Sequence, residues 1–183
     1  MITTINGARY QIWSVVRLAA LFVAFIAAAT PVWAQQKYTI TQAPASDRGQ
    51  YVNEHAIEVG DVPEHRLRVY EIHHDYPQRD NAFAGVVVKE MVSRCTSDYI
   101  NGSGANTCYN VFTLEDGNKV FSRLTGTAQS DSARGTKGMF VENYLGGTGK
   151  FKGIRGQVRG STERAPGTTS LKVDVTGEYW IEE

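Results

Sequence analysis

The sequence lacks an excess of charge of either sign, a long hydrophobic run and any sustained helical periodicity. Its 19 basic and 19 acidic residues balance, which leaves no broadly basic surface of the kind that holds nucleic acid. The one basic run, Lys150 to Arg159, reads as a solvated strand face. The most extended apolar stretch, LAALFVAFIAAA from Leu18 to Ala29, is shorter than the about 20 residues a transmembrane helix needs. Cysteine is scarce, with only Cys95 and Cys108. Neither these nor the four histidines fall at zinc-ligand spacing, so no metal and no cofactor is expected. No repeat of fixed period is present.

What is there begins with an export signal. Arg9 and Arg17 precede the apolar stretch, Pro31 follows it, and small residues stand three and one places before the junction after Ala34. That arrangement predicts a signal peptide over residues 1–34, cleaved before Gln35, and so a periplasmic or secreted protein with no stable membrane insertion afterwards. The remainder, 35–183, fits one domain. In an oxidising compartment an even cysteine count favours a Cys95–Cys108 disulfide. Closing a loop of that size contributes about 3 kcal/mol. The intervening TSDYINGSGANT reads as a polar loop whose base the bridge would pin.

Period-two alternation then dominates. HRLRVYEIHH puts Leu67, Val69, Glu71 and His73 on one face, and FAGVVVKEMVSRC is apolar enough for a central strand. TCYNVFTLEDGNKVFSRLTGTA reads as a hairpin turning at EDGN, and GMFVENYLGGTGKFKGIRGQVRG as a second turning at GGTG. In TSLKVDVTGEYWIE, Leu171, Val173, Val175, Gly177, Tyr179 and Ile181 share a face. With KYTIT and YVNEHAIEV this makes seven or eight strands. One apolar face per strand predicts an all-β fold, a small antiparallel closed barrel of about eight strands.

The glycines of YLGGTGKFKGIRGQVRG do not make a phosphate cradle. A P-loop would need glycine at Tyr144 and Ser or Thr at Phe151, and a dinucleotide fingerprint would need glycine at Lys152. Gly146 and Gly147 read instead as turn residues with positive φ, and Gly153, Gly156 and Gly160 as positions of curvature or close approach. GGTGKFKGIRGQV resembles the "GGSG-F-G--GQV" hairpin of plant allene oxide cyclases. It is more loosely similar to the "GGTG-F--A-G" hairpin of dirigent proteins, which share that barrel. Upstream, VYEI (Val69 to Ile72) looks like the cyclases' own strand. The resemblance implies a barrel with an apolar lumen and a homo-oligomer, trimeric in the plant enzymes. It also implies a lumen glutamate that assists opening of an unsaturated fatty-acid epoxide, at the position of Glu71. The sequence departs from that pattern at His73, where the plant enzymes have asparagine, and at Arg79 and Asp80, where they have the Ser and Pro that help hold a water.

From the residues alone, a lumen carboxylate at Glu71 would sit in a low-dielectric place with a raised pKa, suited to acid–base work. His73, two residues on, would share its ligand or a water. A carboxylate paired with a neighbouring arginine is the plainer alternative. The expected lumen wall is Leu67, Val69, Phe112, Leu114, Val120, Leu124, Val173, Val175 and Tyr179. Leu67, Val69, Phe112, Leu124, Val173 and Tyr179 would contact a small hydrophobic ligand, fatty-acid-like or polycyclic, that Glu71 and His73 isomerise or cyclise. The alternative is a non-catalytic binding or structural barrel in which Glu71 is an ion-pair partner.

Overall fold

The structure, a computed structural model, describes residues 36–47, 49–76, 81–168 and 171–182, with the backbone alone over 41–47. The expected leader 1–34, Arg79 and Asp80 lie outside the described residues. Ten strands are formed: β1 (Lys37–Asp47), β2 (Gln50–Glu58), β3 (His65–Asp75), β4 (Ala82–Phe83), β5 (Val86–Ile100), β6 (Ser103–Leu114), β7 (Lys119–Asp131), β8 (Gly135–Gly147), β9 (Ile154–Arg164) and β10 (Leu171–Ile181). A 3-10 turn, Gly149–Phe151, joins β8 to β9. Among the described residues no helix is long and apolar enough to cross a membrane.

The fold is all-β and antiparallel. Strand order is β1-β10-β9-β8-β7-β6-β5-β3-β2, with the two-residue β4 paired to β5. The ladder ends at β1 on one side and β2 on the other, so the sheet is not closed by hydrogen bonds. It is nevertheless strongly curled. β6 and β10 stand four places apart in that order, about 19 Å on a flat sheet. Yet Phe112 of β6 and Tyr179 of β10 both meet the Phe83 ring, with centroids at 5.3 and 5.5 Å.

Two expectations about local structure change. The stretch between the cysteines is a regular hairpin, because Asn101 and Gly102 both take positive φ (49° and 74°). That is the backbone of the tight two-residue turns that Asn-Gly favours. Cys95 and Cys108 are directly opposed partners on β5 and β6, and they form a disulfide across the two strands on the buried face. In the second hairpin the positive φ falls at Gly146 (150°) and Gly149 (53°) and not at Gly147. Gly147 is required for space: a Cβ there would lie 2.3 Å from the Lys119 carbonyl oxygen, well inside contact distance.

The concave side divides into two halves. One is packed solid by Phe83, Val88, Phe112, Leu114, Val120, Tyr144, Phe151, Ile154, Val158 and Tyr179. Phe83 sits at its centre, edge-on to Phe112, Tyr144 and Tyr179. The Ala84–Gly85 turn that carries it is held by Ala84 N–H donating to the Tyr179 hydroxyl at 2.6 Å. The other half, beyond Tyr70, Cys95 and Cys108, is open space.

Candidate functional site

That space is a cavity of about 380 Å³ bordered by side chains of β2, β3 and every strand from β5 to β10. Its wall combines Tyr70, Ile72, Cys95, Cys108, Leu124, Phe140, Leu171 and Val173 with polar groups at both ends. Small residues keep it hollow. At Gly160 a Cβ would lie 2.1 Å from the Phe140 ring, and at Gly138 2.5 Å from the Thr162 hydroxyl. Glycine at these two positions lets Phe140 and Thr162 fold back against the wall.

The inner end, next to the packed half, is polar and buried. The side chains of His74, Ser93, Asn110, Ser122 and Glu142 come from five different strands and are all buried. His74 Nε2 lies 3.1 Å from Ser93 Oγ. Asn110 Nδ2 donates to Glu142 Oε1 at 2.8 Å, and the Ser122 hydroxyl donates to the same oxygen. Burial pushes the Glu142 carboxyl upward. The Ser122 and Asn110 hydrogen bonds and the charge of His74 pull it the other way without overcoming the desolvation. His74, Ser93 and Asn110 reach the cavity, with Glu142 and Ser122 behind them. Asn110 Oδ1 is buried and has no hydrogen-bond partner, an unmet acceptor at this end of the cavity.

At the outer end stand Tyr51, Arg68, Tyr99 and Arg164. The Arg68 guanidinium lies 4.9 Å from the centroid of the Tyr70 ring and 5.7 Å from that of Tyr51, and its Nη2 pairs with Glu54 at 2.8 Å. Burial holds the Tyr70 and Tyr99 hydroxyls above their ordinary range.

The expected face of β3 is reversed. Tyr70, Ile72 and His74 point into the cavity, so their neighbours Glu71 and His73 lie on the convex side. Glu71 Oε2 accepts from Arg94 Nε at 2.8 Å, and its Oε1 lies 3.0 Å from His73 Nε2. Arg94 is 59% exposed, so this is a surface pair beside solvent. Leu67 and Val69 are likewise outside, 45% and 59% exposed. They border an open groove with His55, Ile57, Thr96 and Thr107. The physical reason is the strict period of two: a slip of one residue in reading the face exchanges every side chain of a strand.

The other predicted wall residues face inward. Leu124 and Val173 border the cavity, while Phe112, Leu114, Val120 and Tyr179 belong to the packed half, with Val175 against it. The sequence reading missed the inner-end group and Arg164. A signal for them existed: Glu142 shares strand parity with Phe140 and Tyr144, and Asn110 with Phe112 and Leu114. Polar residues in phase with aromatics are the ones a curled sheet must bury.

Among the described residues no three His, Cys, Asp or Glu side chains gather as a metal site. No protein-family model matches this chain, and no curated protein matches it.

Proposed function

We propose that this protein is an exported barrel of the allene oxide cyclase and dirigent type that binds a small, largely hydrophobic molecule in its interior. The observation that carries the reading is the 380 Å³ cavity, which is within the size range of small-molecule sites. Tyr51 of β2 and Leu171 and Val173 of β10 border the same cavity, which favours a barrel closed by side chains. The wall suits an apolar body, and Asn110 Oδ1 suits a hydroxyl or amide donor at its inner end. The disulfide is compatible with export.

The Glu71–Arg94 pair favours binding over isomerisation, since a carboxylate engaged on the convex side does not meet a molecule in the interior. Any acid–base chemistry would instead fall to His74, which reaches the cavity with Glu142 behind it. The resemblance adds a homo-oligomer, to be read by light scattering. The test is native mass spectrometry of protein purified from its own host, with extraction of bound small molecules. A retained lipophilic compound, absent from a Leu124→Trp variant that fills the cavity, is the expected result. An empty protein that takes up no apolar probe would sink the reading.

A further inference from the structure

Arg164 is the charged residue of the cavity that the fold itself leaves unanswered. It ends β9 on the concave side, paired with Thr136 of β8. Its Nε is buried and has no hydrogen-bond partner. The other arginine at this end is different, because Arg68 is neutralised by Glu54 at 2.8 Å. Around Arg164 the cavity offers Tyr99, Thr136, Thr162 and Leu171, none of which carries a negative charge. Arg164 is only partly buried, but a desolvated guanidinium nitrogen without a partner is costly, and the fork of donors matches a carboxylate, sulfonate or phosphate oxygen pair.

We propose that Arg164 is the anchor for an anionic group, and that the cavity's ligand is an amphipathic organic anion. Its apolar body lies along Leu171, Val173, Leu124 and Ile72, and its charged end stays at Arg164. The proposal rests on the interior being a binding site and specifies what that site selects. Specificity follows from asymmetry: a neutral molecule of the same shape fills the apolar wall but leaves the Arg164 guanidinium unpaired.

Two fluorescent probes with one body separate the claims: 8-anilinonaphthalene-1-sulfonate and its neutral counterpart N-phenyl-1-naphthylamine. The wild-type protein is expected to bind the sulfonate at least about tenfold more tightly, and decanoate to displace it better than decan-1-ol by a similar factor. Arg164→Gln is expected to remove the preference by weakening the sulfonate while the neutral probe binds as well or better, and to leave the ligand-free Tm unchanged or higher. Arg164→Lys, which keeps the charge, is expected to keep part of the preference. Equal binding of the two probes by the wild type, or a preference that survives Arg164→Gln, would overturn the anchor while leaving the cavity as a site. Binding of neither probe would overturn both readings. Loss of folding in Arg164→Gln but not in Arg164→Lys would make the charge structural and would also overturn the proposal.

Discussion

Glu142 is where pH should act on this fold. Its folded-state pKa is raised by burial, so the native protein holds this proton more tightly than the unfolded chain does. Stability from that difference is fully present below the ordinary glutamate pKa and is lost as pH rises through the raised one. Glu142→Gln keeps the acceptor for Ser122 and Asn110 and cannot ionise. Its stability relative to the wild type is therefore expected to climb as pH goes from 4 to 8, measured by urea denaturation at each pH. A constant difference across that range would mean that Glu142 is not held protonated. Glu71 presents the opposite case. Its partners Arg94 and His73 are 59% and 50% exposed, and exposed pairs are worth about 0–1 kcal/mol. Glu71→Gln is expected to cost no more than that and to leave binding of an apolar probe untouched. A loss of probe binding in this variant would restore Glu71 to the site.

At the level of elements, the strands and their turns were legible because the sequence states them twice, once in alternation and once in turn chemistry. EDGN falls between the paired strands β6 and β7, and GGTG spans the end of β8 and the start of the turn into its partner β9. The hairpin of β5 and β6 was read as a loop because its residues are polar on both faces, so alternation was silent there, although Asn101-Gly102 announced the turn. The face of β3 was illegible for a different reason. Leu67 and Val69 are as apolar as Tyr70 and Ile72, and only the neighbouring strands decide which pair is enclosed. The disulfide was legible from count and compartment, but not its position as a cross-strand bond on the cavity wall. It ties two neighbouring strands that the ladder already pairs. Replacing Cys95 and Cys108 together by alanine is expected to cost about 2–4 kcal/mol. With both sulfurs buried, reduction of the native protein should be slow until denaturant is added. Rapid thiol release without denaturant, followed by labelling and intact mass, would contradict that placement.

For the molecule as a whole, the free ends of the ladder matter most. β2 has a hydrogen-bonded neighbour on one side only, and all its side chains are exposed, so few buried contacts hold it. Hydrogen–deuterium exchange is expected to be fastest in β2 among the strands of the sheet and slowest in β6 and β7, which lie mid-sheet and feed the packed half. Strong protection of β2 in dilute solution would instead indicate that another chain covers that edge.

The division of the interior has a consequence for how such a protein can diverge. Phe83 and its ring of aromatics secure the fold at one end, while residues such as Leu171, Val173 and Phe140 shape the vacancy at the other. Substitutions more than about 7–10 Å apart act almost independently on stability. A lineage carrying this scaffold is then free to reshape the vacancy, one wall residue at a time, with the plugged end absorbing none of the change. Relatives should accordingly vary most where the vacancy is, and agree most around Phe83.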